Sequence, residues 1–545
     1  MAPSSTTSIV PWAYLRKGDW HILSAADSGV FPLSLSRRFN LLCRFVERLE
    51  NSKDDTPVPV KNGELLVSVR DRTLTTAYWV EAPCPVIRCE WLFESTDGTF
   101  FPFSEVACVQ MTHIWSTMPN EVHTLIYPVQ DHLGGRSTVA GSPSTPQEEQ
   151  LSDLFQTCAS ARDHRCKAVH HGFDAWVNND HKQTAHVVFV VHGIGETYWK
   201  KRLPFITISD WVHVFDQLTQ QVSESHFPDH HEGVLYFPVD WSGVMAEMGD
   251  MLHETLARTS LPSLMFIRQI QNELISDVML YIERKNPILS FVVNHMNRVY
   301  RLYKENNPEF DGSVSIMGHS LGSVISFDML SKQGVDSHLK LDFQVEHYFA
   351  FGSPIGAFLP LYGTVKGDDL VLPTTKNLYN IYHPIDPIAY RLEPLLHPTC
   401  DVEPPLRLST FSGHRRFHHA VNDLINTLEA KQTALLDHIS AAWSAFTHSS
   451  EPKKAATEEE VEPNHEANEI AKELALKCNP SMGRLDFVLP ESAIEALTPM
   501  AALTAHVQYY ENQDFCLFVL NHLFDTGDKQ GSVSLHPDDI AAAAP

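Results

Sequence analysis

The chain has 545 residues, which is too long for one ordinary core, so two or three domains or one large elaborated domain are expected. The apolar fraction of 43% is sufficient for globular folding. The formal net charge of −26 argues against a general nucleic-acid binder, because such a protein must neutralise phosphates.

Localisation is predicted from the cysteines and from the lack of long apolar runs. The nine cysteines include no CxxC pair, which indicates free thiols in a reducing compartment. The amino terminus shows no secretory signal, and no run approaches the ~18 apolar residues that a membrane span needs. We therefore expect a cytoplasmic protein that meets intracellular membranes peripherally.

Residues 1–130 are predicted to form an N-terminal β-rich region. A helix is expected over 36–49, where apolar side chains recur on one side. Residues 131–184 are interpreted as a loop or linker, since 132–150 are rich in Gly, Ser and Pro. The strand candidates of this region are 65–69, 76–80 and 86–93.

A different pattern begins at residue 185 and predicts an α/β core over 185–410. Short, continuous apolar runs alternate with helical stretches, which is typical of a mostly parallel sheet with right-handed crossovers. Helical patterns over 244–305 indicate either a core-packing helix or a lid over an apolar pocket. The predicted strands are 186–191, 234–239, 314–317, 345–351 and 378–383.

The carboxyl-terminal part contains an interruption of this core. Residues 411–480 are predicted to hold an amphipathic helix over 418–446 and an acidic, disordered linker over 451–469. The core is expected to resume over 481–525. The remaining residues, 526–545, are interpreted as a flexible tail.

Residues 318–322 read Gly-His-Ser-Leu-Gly and match the pattern G-x-S-x-G. A predicted strand leads into the motif and a predicted helix follows it, which is the context that a nucleophilic serine needs. The fold is therefore predicted to be α/β-hydrolase-like, with Ser320 as the nucleophile. The N–H of Leu321, at the helix start, is then placed to face a developing oxyanion.

A second oxyanion donor is predicted where strand 186–191 runs into His192-Gly193-Ile194-Gly195. Lipases and esterases place that donor at the end of such a strand. The N–H of Ile194 is the first choice and that of Gly195 the next. His192 is expected to hold the loop, because the chain order in this fold is serine, acid, histidine.

The acid and the base must follow Ser320. Asp386 comes directly after a late strand and is the acid candidate. Ten histidines follow Asp386, so spacing alone leaves the base open. The candidates weighed are His414, His418, His419, His448, His465 and His506.

These residues resemble the intracellular phospholipase A1 family that carries the DDHD domain. The resemblance covers roughly 185–400 and 480–525, with weaker similarity at 56–115. Its blocks are GHSLGS at 318–323, FGSP at 351–354, HPIDPIAYRLEPLL at 383–396, RLDFVL at 484–489 and AHVQYYENQD at 505–514.

The four residues that name the domain map here to Asp386, Asp486, His506 and Asp514. The resemblance implies a metal site at these residues, but Asp386 and His506 also fall where a triad requires them. We favour the triad with His506 as base, because Ser320 needs an acid and a base. No cofactor is then required, and Asp486 and Asp514 become supporting or structural groups near His506.

The resemblance implies hydrolysis of the sn-1 ester of a glycerophospholipid, often phosphatidic acid, at a membrane surface. Arg391 could contact the phosphate or form a structural salt bridge. Two alternatives remain: a neutral-lipid esterase or acyltransferase with the same triad, and a lipid-binding trafficking scaffold without catalysis. The small helical interaction domain of larger family members has no clear counterpart in 411–480.

Overall fold

A computed structural model describes part of each of two compact units, Met1–Gln183 and Thr184–Pro545. Every structural statement below refers to the described residues. These are 12–16, 19–23, 57–61, 63–89, 91–95, 100–104, 107–108, 110–111, 125–126, 166–171, 183–194, 207–261, 265–408, 411, 465–490 and 505–524.

The first unit contains two antiparallel sheets, which confirms the prediction of a β-rich amino-terminal region. Six strands follow the order β2-β1-β6-β5-β4-β3, and four follow the order β8-β7-β10-β9. The strands are β1 (Trp12–Arg16), β2 (Asp19–Ile22), β3 (Val58–Val60), β4 (Leu65–Ser68), β5 (Thr73–Thr76), β6 (Cys84–Arg88), β7 (Trp91–Ser95), β8 (Phe100–Pro102), β9 (Leu125–Ile126) and β10 (Cys166–His171).

Three details of this unit differ from the sequence-based expectation. The strand expected over 86–93 is divided between β6 and β7, which belong to different sheets. The strand expected over 76–80 lies earlier, at β5, because the Thr76 hydroxyl donates to the carbonyl of Trp79 at 2.5 Å and closes a turn there. Strand β10 lies inside the segment interpreted as a loop or linker. Its sequence, CKAVHH, lacks clear alternation, and only pairing with β7 and β9 makes it a strand.

The second unit contains a seven-stranded parallel sheet with the order β12-β11-β13-β14-β15-β17-β16, which confirms the predicted α/β class. Every apolar run predicted as a strand is one. The strands are β11 (Gln183–Val191), β12 (Glu232–Val239), β13 (Ser313–His319), β14 (Val345–Phe351), β15 (Thr375–Tyr382), β16 (Leu406–Arg407) and β17 (Asp486–Val488).

Helices cover this sheet. The α-helices are α1 (Ile208–His226), α2 (Ala246–Thr259), α3 (Met265–Asn306), α4 (Leu321–Ser331), α5 (Ile355–Phe358), α6 (His465–Cys478) and α7 (Gln513–Leu523). The 3-10 helices are Ser242–Met245, Ser337–Leu339, Leu359–Tyr362, Gly367–Leu370, Glu393–Leu395 and Gln508–Glu511.

The core of the second unit follows from the period of two along β11. Val188 and Val190 share one cluster with α1 and α7, which supply Phe215 and Phe518 among others. Phe189 points the other way and packs against Phe237 and Phe343. Helices on both faces explain why the strands read as unbroken apolar runs.

Helix α4 is buried along almost its whole length, so its one acidic side chain needs partners inside the core. Asp328 accepts hydrogen bonds from the hydroxyls of Tyr281 and Tyr362, and the ammonium of Lys285 lies 2.7 Å from its carboxylate. These contacts join α4 to α3 and to the 3-10 helix that carries Tyr362.

Helix α3 falls within the segment predicted as either a core helix or a lid. Tyr281, in its first part, and Val292, in its second part, are buried in the core, while Met279 and Ile282 are exposed. The helix is kinked at Arg284, where φ is −118° and ψ is 27°. Pro287 explains the kink, because its ring displaces the carbonyl four residues earlier. Lid motion stays a prediction.

Some sequence-based predictions fall outside the described residues. These include the helices over 36–49 and 418–446 and the tail over 526–545. Helix α6 begins at His465, inside the stretch that we expected to be linker. Among the described helices, none combines the length and the apolar character needed to cross a bilayer.

Gly312, just before β13, tests the close packing of the sheet. A Cβ at this position would overlap the carbonyl of Ala185, so Gly312→Ala should destabilise the protein by about 1–3 kcal/mol. Thermal unfolding of the purified chain measures the effect. Gly243→Ala is the control, since nothing lies within 4 Å of a Cβ there. Equal melting temperatures for the two variants would contradict the described packing.

Candidate active site

Ser320 occupies a sharp turn between β13 and α4. Its φ of 51° and ψ of −125° lie in a region that residues other than glycine rarely adopt. The flanking glycines permit this turn. A Cβ at Gly318 would approach the Cα of Ser323 to 2.7 Å, and one at Gly322 would overlap the carbonyl of His192. The strand–turn–helix context therefore presents the serine as the motif predicts.

Ser320, His506 and Asp386 form a chain of hydrogen bonds. His506 Nε2 lies 3.0 Å from Ser320 Oγ, and His506 Nδ1 lies 3.0 Å from each carboxylate oxygen of Asp386. All three residues are buried, with Ser320 only 1% exposed. Three distant parts of the sequence thus bring a hydroxyl, an imidazole and a carboxylate into the order that nucleophilic catalysis requires.

Asp386 is held ionised by its hydrogen bonds. Burial alone would raise its pKa, but hydrogen bonds from His506, Tyr509 and the N–H of Ile388 bring the pKa below its usual value. The Tyr509 hydroxyl donates to Asp386 Oδ2 at 2.7 Å and accepts from the N–H of His383 at 2.8 Å. Tyr509 therefore links the Asp386 carboxylate to the carboxyl end of β15, the strand that precedes Asp386.

His506 is positioned through its backbone and through the space around its ring. His319 Nε2 donates to the carbonyl of His506 at 2.8 Å. Burial and the neighbouring His506 lower the pKa of His319 to about 3, so His319 is neutral and acts as a fixed donor. A Cβ at Gly352, where φ is 55°, would lie 3.0 Å from Asp386 Oδ2 and 3.2 Å from His506 Nδ1.

The loop after β11 lies directly against the serine. A Cβ at Gly193 would be 2.7 Å from the Cβ of Ser320. The N–H of the next residue, Ile194, is therefore close to the position expected for the second oxyanion donor. Leu321 is the first residue of α4, where an amide has no acceptor inside the helix. Gly195, the next donor choice, lies outside the described residues.

His192 fixes this loop. Its Nδ1 lies 2.7 Å from the carbonyl of Gly193, and its Nε2 accepts from the N–H of Trp241 at 3.2 Å. The indole of Trp241 stacks on the imidazole at 4.9 Å and donates to the His192 carbonyl. These contacts agree with the structural role expected for His192.

Asp486, expected to be a supporting or structural group near His506, lies in a hydrogen-bonded network of its own. Both of its oxygens already accept: Oδ1 from Asn380 Nδ2 and the N–H of Leu392, and Oδ2 from Arg391 Nε and the N–H of Glu393. Burial and the charge of Glu393 raise the pKa of Asp486. No acceptor position remains for His506 or for a metal ion.

Glu393 and Arg484 complete this network. The Arg484 guanidinium donates to both oxygens of Glu393, which also accepts from the N–H of Leu485 and Asp486. Although burial alone would raise the pKa of Glu393, these bonds lower it. Arg391 donates to Glu393 as well, so of its two expected roles the structure shows the salt bridge.

Asp514 is also apart from the triad. It lies in the first turn of α7 and accepts a hydrogen bond from the N–H of Phe411. Burial raises its pKa. The four residues that name the domain therefore divide into a triad pair, a salt-bridge network and a helix-end contact, because chain folding separates side chains that share one motif.

Sequence reasoning missed several residues that shape the site. Tyr509 was visible only as part of a motif, since nothing in the sequence says that its hydroxyl meets Asp386. Gly352 follows strand β14. The only sign of it in the sequence was a glycine between an apolar run and Ser353. Trp241 follows β12 and reaches His192 only because β12 pairs at the edge of β11.

Comparison with known proteins agrees with the resemblance found in the sequence. The DDHD domain matches residues 341–475 and 447–524. The mouse protein named triacylglycerol hydrolase DDHD2 is 26% identical, covering 86% of this chain and 87% of its own. The intracellular phospholipase A1 of Caenorhabditis elegans is 24% identical, covering 86% and 72%. The mouse SEC23-interacting protein is 22% identical, covering 94% and 72%. No solved structure matches.

The Asp486 network yields a stability prediction. Asp486→Ala removes the buried acceptor of four hydrogen bonds, one of them from Arg391 Nε, and should cost about 3 kcal/mol of folding free energy. Denaturant unfolding measures the loss. The control is Glu346→Gln, which removes an exposed pair with Lys376 and should cost less than about 1 kcal/mol. An unchanged unfolding midpoint for Asp486→Ala would refute the structural assignment.

Proposed function

This chain is a DDHD-domain protein, and from that premise we propose that it is a serine hydrolase of lipid carboxylic esters, acting on the sn-1 ester of glycerophospholipids. The observation that carries the proposal is the hydrogen-bonded chain from Ser320 through His506 to Asp386. The names of relatives as phospholipases and triacylglycerol hydrolases support a lipid ester as substrate.

In the proposed reaction, Ser320 Oγ attacks the ester carbonyl while His506 Nε2 takes its proton. Asp386 holds the other ring nitrogen and stabilises the imidazolium that forms. Its lowered pKa supports this role, because an ionised carboxylate is needed next to a cation. His506 then protonates the leaving lysolipid, and an acyl-enzyme remains.

The oxyanion of each tetrahedral intermediate would be held by the N–H groups of Leu321 and Ile194. Such a donor contributes roughly 3 kcal/mol to transition-state stabilisation in comparable hydrolases. Water, activated by His506, hydrolyses the acyl-enzyme and releases the fatty acid. None of these steps needs a cofactor, and a phospholipid presented by the cytoplasmic surface of an intracellular membrane is the expected partner.

Neutral lipid is a second candidate substrate, favoured by the name of the mouse triacylglycerol hydrolase. The same triad would serve there, and also in transfer of the acyl group to a lipid acceptor. The SEC23-interacting protein suggests a further alternative, a trafficking scaffold that binds lipid without cleaving it. The buried triad favours the enzyme, because a scaffold has no need for an aligned serine, histidine and aspartate.

Ser320→Ala tests the nucleophile. The variant should lose hydrolysis and labelling by a fluorophosphonate probe, because the attacking oxygen is gone, while its melting temperature stays near wild type. A panel of phosphatidic acid, phosphatidylcholine and triacylglycerol, with products identified by mass spectrometry, gives the head group and the ester position. Ser331→Ala, at the other end of α4, is the matched control.

Full hydrolysis by Ser320→Ala would refute the nucleophile. Absence of labelling and hydrolysis in the wild-type chain, beside an active control hydrolase, would favour the scaffold. Cleavage of triacylglycerol alone would replace the phospholipid assignment while leaving the triad intact. Release of 2-acyl lysolipid is the result expected for the sn-1 ester.

Tyr509→Phe tests how Asp386 is oriented. Loss of the hydroxyl removes one hydrogen bond from the carboxylate and one from the His383 amide, so kcat should fall about 10-fold. Tyr510→Phe, in the same 3-10 helix, is the control. Equal kcat values for the two variants would show that the hydroxyl of Tyr509 has no positioning role.

A further inference from the structure

Two histidines and a glutamate converge at the amino-terminal end of the parallel sheet, away from the triad. His186 lies on β11, Glu232 is the first residue of β12, and His230 lies just before β12. Parallel pairing of neighbouring strands brings their amino-terminal ends to one edge, so residues 44 to 46 positions apart become neighbours. His186 is buried and Glu232 is half exposed.

The spacing of the three ligand atoms suits a tetrahedral metal ion. Glu232 Oε2 lies 3.3 Å from His186 Nε2 and 3.2 Å from His230 Nε2, and the three atoms lie within 4.8 Å of one another. Zinc bonds of about 2.0–2.1 Å place tetrahedral ligand atoms roughly 3.3 Å apart. The distances from Glu232 Oε2 to His186 Nε2 and to His230 Nε2 therefore match the edges of a zinc coordination tetrahedron.

His186 has the second contact that metal-bound histidines usually make. Its Nδ1 lies 2.9 Å from Ser313 Oγ, at the start of β13. Glu232 Oε2 accepts a hydrogen bond from His186 Nε2 at 3.3 Å. When an ion binds in place of this proton, the ring proton lies on Nδ1 and is donated to Ser313 Oγ, and the lone pair of Nε2 faces the ion. A fixed tautomer and ring orientation of this kind is typical of metal ligands.

The ring nitrogen Nε2 of His230 is unsatisfied in the part of the chain that the structure describes. Its Nε2 is buried and, among the described residues, has no hydrogen-bond partner, since its approach to Glu232 is not aligned for one. The ring itself is held by Phe524, whose centroid lies 3.9 Å away at the end of α7. A buried, unsatisfied ring nitrogen is costly unless something occupies the space that it faces.

We propose that His186 Nε2, His230 Nε2 and Glu232 Oε2 bind one zinc ion, with water as the fourth ligand on the exposed side of Glu232. Two imidazoles and one carboxylate are a donor set that zinc favours. The four residues that name the DDHD domain take no part in this site.

The ion would be structural and not catalytic. His186 and His192 are six residues apart on an extended strand, which separates the ion from the oxyanion loop by about 20 Å. The ion would join β11, β12 and, through the ring of Phe524, the end of α7. Both β11 and the chain around α7 lead to residues of the candidate active site, so zinc is expected to raise thermal stability.

Zinc binding to the purified, reduced full-length chain is the test. After treatment with a chelator, zinc alone is titrated in competition with a chromophoric chelator, and thermal unfolding is recorded with and without zinc. The wild-type chain should bind one more tight equivalent than His230→Gln/Glu232→Gln, and zinc should raise its melting temperature. Ser313→Ala keeps all three ligands and should weaken that equivalent about 10–100-fold.

Matched controls separate this site from the other histidines and the nine cysteines. His231→Gln changes the exposed neighbour of His230 and should bind zinc as the wild-type chain does. Ser320→Ala should do so too, which makes the outcome independent of the proposed hydrolase. Cobalt bound to wild type should show the visible absorption of tetrahedral coordination. Equal zinc stoichiometry in wild type and Glu232→Gln, which changes only an exposed side chain, would overturn the proposal.

Discussion

The turn at Ser320 is the constraint on which the candidate site depends. Its backbone has a positive φ in a residue with a side chain, a conformation that costs on the order of 1–3 kcal/mol. The surrounding contacts hold it: the N–H of Ser320 donates to the carbonyl of Phe351, and the buried helix α4 fixes the other side. Close approach of the loop after β11 is possible only because Gly322 carries no side chain, since a Cβ there would overlap the carbonyl of His192.

The imidazole reaches this turn by a long route through the core. Helix α7 packs with α1 over one face of the sheet, and the segment with Tyr509 and Tyr510 lies between α7 and the end of β14. The same aromatic cluster contacts His319, whose ring holds the backbone of His506. The position of the base thus follows from apolar packing, and hydrogen bonds then set its orientation.

Two carboxylates of one family motif have opposite surroundings. Asp386 has a pKa below its usual value, since hydrogen bonds to the ionised form outweigh burial. Asp486 has a raised pKa, since burial and Glu393 outweigh its donors. Asp386 accepts from a histidine that contacts a hydroxyl, whereas Asp486 accepts from Arg391 and from amides between β15 and β17. Only the first arrangement is suited to proton transfer; the second joins two strands and the loop after β15.

The sequence alone determined the α/β class, because strands covered on both faces carry continuous apolar runs, as β11 does over 187–191 and β14 over 348–351. It also determined the turn at Ser320, since a strand, a glycine-flanked serine and a helix leave little choice of local geometry.

Asp386 was indicated by its place after a strand. His506 was not, because ten histidines satisfied the same chain order and only the family resemblance separated them. Tertiary structure decided what depends on distant partners: that β10 is a strand, that Tyr509 contacts Asp386, that Asp486 pairs with Arg391, and that His186 and Glu232 are neighbours. Local patterns report which face a residue occupies, whereas a hydrogen bond between residues a hundred positions apart exists only after the strands have paired.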